Sequence, residues 1–464
     1  MTMSSSSSSS SPSSSLSFFE PGEKALELID SSSITKRWKL KRSLRRARTN
    51  PSLQELELAF VELEPATTDL LIQLLKTRQW NHVRFYFCKL DRLRESKREE
   101  LMRALGSHVL HICFERTNHE GSLQSLLGDT SARVKKLSLY FAQPSMDKSF
   151  QDGLFTNQSL QELDIRQLPE TTTPNFSEYL VQGLQKHPAL QKLTIDNTNM
   201  SDSELASLLL VLQDLPSLTD LTMVGDCETQ SLATLSSLLA KPRTSLQTLR
   251  LNTRDPAYFY VDRLSRRCLP DVFVLTEGLR CNSTLVHCDL SYNFLTDQDI
   301  SLLAKPLSTV HTLQQLNLSH NCIGNKGLQH LAQHLPDMIQ LKYLLLMGNA
   351  SIGVTGMSSI LNVLKRYHNL RLEWIPGPDE LQEGIPYYDC TTVQELVVYT
   401  NLNRCGRHLL LEDDLSFARS VWSHVVARAN RILYPDMIPH VLFHLIQESI
   451  NIWTAPSPPP LSGL

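Results

Sequence analysis

The feature that most constrains the fold of this chain is a recurring pattern of leucines. The same spacing of apolar residues occurs in three segments, TLVHCDLSYNFL, TLQQLNLSHNCI and QLKYLLLMGNASI. Their first leucines are Leu285, Leu313 and Leu341, one 28-residue step apart. A repeat of this length indicates structural units that stack on one another, because one unit cannot bury its apolar side alone. We therefore expect an elongated array of repeats.

The same L-x-x-L-x-L frame extends toward the N-terminus, mostly in steps of 26 to 30 residues. Its earlier starting positions are Leu246, Leu218, Leu190, Leu160, Val134, Ser107, Trp80 and Leu53. The step from Leu246 to Leu285 spans 39 residues, and we expect the surplus, residues 254–267, to loop out of the array.

Segments with helical periodicity separate the frames. SELASLLLVLQDL and NKGLQHLAQHL, for example, carry leucines three or four residues apart, which is typical of an amphipathic helix. Strands that alternate with helices at this period predict an α/β solenoid of about 11–12 repeats, with a parallel sheet inside and helices outside.

The combination of LxxLxLxxN with a 28-residue step resembles the leucine-rich-repeat family, and within it the ribonuclease-inhibitor-like subclass. The resemblance covers about residues 50–376. It implies a horseshoe whose concave sheet binds a protein partner, without a cofactor or catalytic residues. In the early frames the ninth position departs from asparagine and reads Val61, Cys88, Glu115, Ala142 and Leu168.

Two residue series have predicted structural roles. Asn293, Asn321 and Asn349 fall at the ninth position, where an amide can hydrogen-bond the backbone as the chain leaves the strand. Phenylalanines recur every 27 residues at Phe60, Phe87, Phe114 and Phe141, each two residues after an apolar position. Because alternate strand residues share a face, we expect these rings to stack inward as a core ladder.

The segments that flank the array differ from it in composition. We divide the chain into a disordered serine-rich tail (1–20), a basic N-terminal capping helix (21–49), the repeats (50–376), a helical C-terminal cap or adaptor segment (377–454) and a proline-rich tail (455–464). In the C-terminal segment Val393, Leu396 and Val398 imitate one more strand, and helices are expected at about 416–431 and 435–449.

Composition limits the function classes. The net charge of −3 indicates no strong overall field, so nucleic-acid binding is not expected. The nine cysteines form no CxxC pair, so we expect reduced thiols and no metal site. No stretch is long and apolar enough to insert into a membrane, and no secretory signal is recognisable. We expect a cytoplasmic protein, with nuclear import through the basic run Lys36 to Arg48 as an alternative.

The frame nominates a binding surface, because strand side chains that are not buried face the concave side. The fifth and seventh positions are Glu57, Arg84, Tyr86, His111, Tyr140, Asp164, Arg166, Thr194, Asp196, Arg250, Asn252, Asp289, Ser291, Asn317, Ser319 and Met347. Aromatic and arginine side chains are good interface anchors, so the stretch from Arg84 to Tyr140 is the expected centre of partner binding.

Catalytic motifs such as GxSxG, HExxH and the P-loop are not found, so we expect a binding protein and not an enzyme. Two alternatives stay open. The Ran GTPase-activating protein is a similar solenoid, and Arg254, Arg263, Arg266 or Arg267 of the insertion are conceivable effectors of GTP hydrolysis. The C-terminal segment is also vaguely similar to helical boxes that attach substrate receptors to ubiquitin ligases.

Overall fold

The structure is a computed structural model. It describes residues 25–29, 34–90, 92–117, 123–129, 131–140, 148–166, 175–196, 200–242, 244–253, 269, 271–366, 390–410, 415–432 and 438–448. The predicted loop at 254–267 and the predicted tails at 1–20 and 455–464 lie outside these residues.

The described strands form one parallel sheet in which each strand pairs with its neighbours in sequence, so the order runs from the first strand to the twelfth. They are β1 (Ala25–Ile29), β2 (Glu55–Ala59), β3 (Trp80–Tyr86), β4 (Val109–Glu115), β5 (Lys136–Tyr140), β6 (Glu162–Arg166), β7 (Lys192–Asp196), β8 (Asp220–Val224), β9 (Thr248–Asn252), β10 (His287–Asp289), β11 (Gln315–Asn317) and β12 (Tyr343–Leu345).

Helices connect the strands and pack against one another in sequence. They are α1 (Ile34–Thr49), α2 (Pro65–Leu75), α3 (Glu95–His108), α4 (Leu123–Leu127), α5 (Lys148–Thr156), α6 (Phe176–Leu184), α7 (Asp202–Leu212), α8 (Thr229–Ala240), α9 (Phe273–Cys281), α10 (Asp297–Thr309), α11 (Asn325–His334), α12 (Val354–Arg366), α13 (Cys390–Cys405), α14 (Leu415–Ile432) and α15 (Ile438–Glu448). Within the described ranges none is long and apolar enough to cross a membrane.

The repeat frame is confirmed in the later strands. Leu285, Leu313 and Leu341 are all buried, and each precedes a strand of the same sheet. The fourth-position residues Leu316 and Leu344 lie opposite each other in the strand register. One continuous apolar core therefore runs between the sheet and the helices, as the α/β solenoid requires.

The frame predicted at Ser107 is wrong by two residues. In the sheet register Trp80 lies opposite Val109, and Phe85 opposite Phe114. Val109 is buried, whereas Ser107 is the penultimate residue of α3 and is half-exposed. The repeat before β4 is two residues longer than its predecessor, so a constant step leads to the wrong residue. The ninth position of this repeat is Thr117 and not Glu115.

The predicted core ladder of phenylalanines is also wrong. Phe60 and Phe87 do stack, but Phe60 is 52% exposed and lies on the surface. Phe114 belongs to a different position of the repeat and stacks in the core on Phe85, with ring centroids 5.2 Å apart. Phe141 lies outside the described residues. The 27-residue spacing therefore grouped residues that occupy different positions of the repeat. Phe60 and Phe87 are at the eighth position, and Phe114 is at the sixth.

Side chains at the ninth position link neighbouring repeats. Asn321 donates from Nδ2 to the carbonyl oxygen of Leu290 (3.0 Å) and accepts at Oδ1 from the backbone N–H of Asn293 (2.9 Å). Asn349 donates in the same way to the carbonyl of Leu318 (2.9 Å). These amides satisfy backbone groups that the turn would otherwise leave buried without partners.

Early repeats make the same link with other residue types. The Thr117 hydroxyl accepts from the backbone N–H of Cys88 at 3.2 Å and lies 3.2 Å from the carbonyl oxygen of Phe85, to which it can donate. The Cys88 thiol lies 3.1 Å from the carbonyl oxygen of Leu58 and donates to it. Threonine and cysteine therefore occupy the place of asparagine, with fewer hydrogen bonds each.

Both ends of the array differ from expectation. The segment 21–49 contains the strand β1 before its basic helix, and Leu26 and Leu28 pair with Leu56 and Leu58 of β2. At the other end the predicted strand at Val393, Leu396 and Val398 is wrong, because these residues lie in α13. α13 packs on α12, so Leu396 joins the main core from a helix.

The ninth-position link generates a stability prediction. Replacing Thr117 with valine keeps the shape but leaves the buried N–H of Cys88 without its acceptor, which costs about 1–3 kcal/mol. Thr117→Ser keeps the hydroxyl and is the matched control, expected to lose less. Urea denaturation of both variants measures the difference. An unchanged unfolding free energy in Thr117→Val would contradict this placement of the repeat.

His187 generates a pH prediction. It follows α6, is 2% exposed, and neither ring nitrogen has a hydrogen-bond partner. Burial lowers the pKa of His187 to about 4, below its ordinary value of 6.5. The unfolded chain therefore takes up a proton below pH 6.5 that the folded chain does not, and stability falls as the pH drops toward 4. The expected loss between pH 7 and pH 5 is about 2 kcal/mol.

The matching variant is His187→Leu, because Leu215 holds the same place in the next repeat and is buried there. Its unfolding free energy should fall less between neutral and acidic pH than that of the wild type. His330→Leu, at an exposed position of α11, serves as the control. Parallel pH profiles for the wild type and His187→Leu would show that His187 does not titrate as described.

Candidate functional site

The face of the sheet opposite the helices carries the candidate site, and we call it the open face. Three positions of each repeat point to it, the third, fifth and seventh, because alternate residues of a strand share a side. The sequence prediction used only the fifth and seventh. The third row consists of Glu55, His82, His111, Lys136, Glu162, Lys192, Asp220, Thr248, His287, Gln315 and Tyr343.

All residues predicted for the concave surface lie on the open face. His111 lies in the third row, opposite His82 and Lys136, because its frame was misplaced. The residues that the same error concealed are Cys113 and Glu115 of β4. Asp164, Asp196, Asn252 and Ser291 are buried, so these side chains support exposed neighbours more than they present themselves to a partner.

Arg84 is the centre of a first cluster on β2–β4. Its guanidinium lies 2.6 Å from a carboxylate oxygen of Glu115 and 3.4 Å from one of Glu57. It also lies over the ring of Tyr86, 5.4 Å from the ring centroid. The hydrogen bond with Glu115 raises the pKa of Arg84, which stays charged. The cluster therefore holds an arginine and a tyrosine in fixed positions at the surface.

Asp164 organises a second cluster on β5 and β6. Its carboxylate accepts hydrogen bonds from the hydroxyl of Tyr140 (2.6 Å) and from Nε and Nη2 of Arg166 (2.8 and 3.2 Å). The Arg166 guanidinium also lies 5.3 Å from the ring centroid of Tyr140. Burial, together with the negative charge of Asp164, raises the pKa of Tyr140, so its hydroxyl stays protonated and donates.

The third row carries an ion-pair chain on β5–β7, beside the second cluster. The Glu162 carboxylate lies 3.0 Å from Nζ of Lys136 and 3.5 Å from Nζ of Lys192. Although burial opposes ionisation, the two lysines lower the pKa of Glu162.

His82 and His111 lie side by side on β3 and β4, and burial lowers the pKa of both imidazoles, which are neutral at pH 7.

A third cluster lies on β9 and β10. Nε of Arg250 donates to Asp289 at 3.1 Å, and Asn252 donates from Nδ2 to the carbonyl oxygen of Ser291 at 2.6 Å. The Asp289 carboxylate also accepts from the Ser291 hydroxyl at 2.7 Å. As in the other two clusters, hydrogen bonds between neighbouring repeats hold the polar groups that face outward.

Two depressions lie in the open face, of about 290 Å³ over β6–β12 and about 530 Å³ over β2–β5. Both are lined mainly by polar and charged side chains, among them Arg166 and Arg250 in the first and Arg84 and Lys136 in the second.

A family model described as "Leucine Rich repeat" matches residues 311–332, which contain β11 and most of α11. This segment is therefore similar to a leucine-rich repeat. Together with the parallel sheet and its outer helices, the match makes the described fold an α/β leucine-rich-repeat solenoid.

Over its whole length the chain is only weakly similar to known proteins. No curated protein sequence matches the chain. Among solved structures, a protein of Bacteroides fragilis is 14% identical with a TM-score of 0.32, over 68% of this chain and 74% of that one. The yeast complex of Rad7 and Elc1 is also 14% identical, with a TM-score of 0.39, over 71% of this chain and 70% of the matched one. Likeness at these levels carries no argument about function.

The second cluster generates a prediction. Tyr140→Phe removes one hydrogen bond to a buried carboxylate and should lower the unfolding free energy by about 1–2 kcal/mol. Asp164→Asn should cost more, about 2 kcal/mol or above, because it weakens the hydrogen bonds from both Tyr140 and Arg166. In the Asp164→Asn background Tyr140→Phe should cost less than in the wild type. Chemical denaturation of the four proteins measures the coupling, and additive effects would show that the residues act independently.

Proposed function

We propose that the chain is a protein-interaction scaffold that binds a protein partner on the open face of its leucine-rich-repeat sheet. The observation that carries the proposal is the set of three clusters centred on Arg84, Asp164 and Asp289. Each cluster holds arginine, tyrosine or carboxylate groups in fixed positions on a face that no described helix covers. Side chains already ordered before binding lose less entropy when a partner arrives, which favours affinity.

We also propose two further properties. The first is that the chain binds its partner without catalysing a reaction, and the second is that its repeats have the geometry of the ribonuclease-inhibitor-like subclass. The later repeats support the second point, since each pairs a short strand with one helix at 28-residue intervals. The cytoplasmic or nuclear location stays a prediction from composition.

The alternative of a ubiquitin-ligase substrate receptor has one supporting observation. Helices α13–α15 enclose a small apolar core of their own that includes Leu402, Val425 and Val441. On α15 the side chains of Phe443 and Ile446 are exposed, three residues apart on one helical face. The GTPase-activator alternative depended on four arginines of the insertion, which lie outside the described residues.

The test compares two matched triple variants. The open-face variant changes Arg84, Tyr86 and His111 to alanine, and the control variant changes Arg103, Tyr179 and His330 of the helices to alanine. Partners captured quantitatively from cell extract by the wild type should be lost by the open-face variant and kept by the control. Circular dichroism melting verifies that both variants fold.

Equal capture by both variants would contradict binding on the open face. If the proteins captured equally were ubiquitin-ligase scaffold subunits, the helical segment α13–α15 would instead be the binding element.

A further inference from the structure

The eighth position of the repeat has a special backbone conformation. It is the residue between the seventh strand position and the ninth-position link. Its φ is positive at Phe60 (56°), Phe87 (50°), Arg116 (47°), Tyr292 (58°) and His320 (55°), and also at the glycines 225 and 348. Glycine adopts this left-handed conformation freely, whereas other residues pay about 1–2 kcal/mol. The turn itself therefore favours glycine.

The first repeats place aromatic rings at this unfavourable position. The rings of Phe60 and Phe87 are stacked, with centroids 5.2 Å apart and planes 8° apart. Tyr86 meets both rings edge-on, at 5.2 Å and 4.8 Å, and the Arg116 guanidinium lies 4.9 Å from the ring centroid of Phe87. We call Phe60, Tyr86, Phe87 and Arg116 the aromatic rim.

Burial does not explain the choice of a large ring at Phe60. Phe60 is more than half exposed, so its ring gains little from burial, and glycines 225 and 348 show that the turn forms without a side chain. An exposed aromatic residue in a strained conformation breaks two local rules at once, which is expected where a residue serves binding. The aromatic rim is also continuous with the open face, because Tyr86 belongs to both.

The charge of the chain is distributed unevenly along its length. Residues 34–140 have 21 Lys and Arg against 12 Asp and Glu, and residues 141–464 have 23 against 32. Most of the first excess lies in α1, whereas residues 49–140 have 13 against 12. Beside the rim, Lys89, Arg92 and Arg94 follow β3 at the same edge of the sheet and are all exposed. These side chains, together with Arg116, present positive groups to a ligand of the aromatic rim.

We infer that the aromatic rim binds an acidic segment of a protein partner that carries an aromatic side chain. The partner's ring packs against Phe60 and Phe87, and its carboxylates face Arg116 and the cations that follow β3. This inference rests on the proposed function, since it identifies the chemistry of the partner that the open face binds. Aromatic contacts supply affinity here, and the charges supply specificity and rate.

The geometry favours a peptide over single-stranded nucleic acid. A base would have to enter between Phe60 and Phe87, whose faces already contact each other, whereas a side chain can pack on the exposed edges. Carboxylates of Glu57, Glu62 and Glu115 also lie around the aromatic rim. They repel a backbone with a phosphate at every nucleotide more than a peptide whose charges are spaced apart.

The variant that tests the inference is Phe60→Gly with Phe87→Gly. Since glycine suits the backbone there, the double variant should fold. Its matched control is Tyr292→Gly with His320→Gly, which removes a stacked pair at the same positions of later repeats, with centroids 4.3 Å apart.

The full-length chain is used to select peptides from a random dodecapeptide phage library. Enriched peptides are expected to combine aromatic residues with Asp and Glu. Synthetic copies, measured by fluorescence anisotropy, should bind the Phe60 and Phe87 variant about tenfold more weakly, the loss expected for an interface anchor. The Tyr292 and His320 variant should bind like the wild type, and affinity should fall as salt rises.

Failure of the inference is separable from failure of the proposed function. A double variant, Arg84→Ala with His111→Ala, leaves Tyr86 in place. Peptides that keep their affinity for the Phe60 and Phe87 variant but lose it for this double variant overturn the role of the aromatic rim alone. Peptides that neither variant affects overturn both. A selection that enriches no acidic aromatic sequence, or an oligothymidylate whose binding depends on Phe60 and Phe87, also overturns the inference.

Discussion

The structure depends on hydrogen bonds between neighbouring repeats, in addition to the apolar contacts between them. When the chain leaves each strand, the carbonyl of the sixth residue would be buried without a donor. In the later repeats an asparagine of the next repeat supplies that donor, as Asn321 does for Leu290. The helices have a similar link, because Asp202 at the start of α7 accepts from backbone N–H groups of Gln230 and Ser231 at 2.9 and 3.0 Å. In these places one repeat completes the hydrogen bonding of its neighbour.

The sequence predicted the architecture because leucine spacing and helical periodicity both report burial, which dominates a solenoid. The prediction from sequence was wrong where a buried residue does not stand at the expected spacing, or where a short apolar run fits both a strand and a helix. Val109 was missed because the step from Trp80 is 29 residues and not 27. The repeat also has valine and threonine at its first and ninth positions, where leucine and asparagine would have identified the frame. Leu396 was assigned to a strand because a short apolar run fits either period. β1 was missed because its pattern has only two leucines, Leu26 and Leu28.

For the candidate site, the sequence predicted which rows face outward but not what holds them. Period two places Tyr140 and Arg166 on one face whatever their partners are. Tyr140 and Arg166 both form hydrogen bonds with Asp164, and Asp164 is itself buried. These contacts depend on the register between adjacent strands, which the spacing of residues within one strand does not reveal. The whole third row was omitted for a simpler reason, since its residues precede the most regular part of the motif although they obey the same alternation.

The eighth position shows how a local energetic cost can be read as a sign of function. Buried residues such as Phe85 are explained by packing, and their type carries no information about a partner. An exposed ring in the left-handed region has no such explanation, and the same turn in other repeats is made by glycine or by a tyrosine and a histidine stacked on each other. A solenoid makes this comparison possible within one chain, because every repeat solves the same backbone problem. A ring as exposed as that of Phe60, at a position where glycine suffices in other repeats, indicates a role outside the fold.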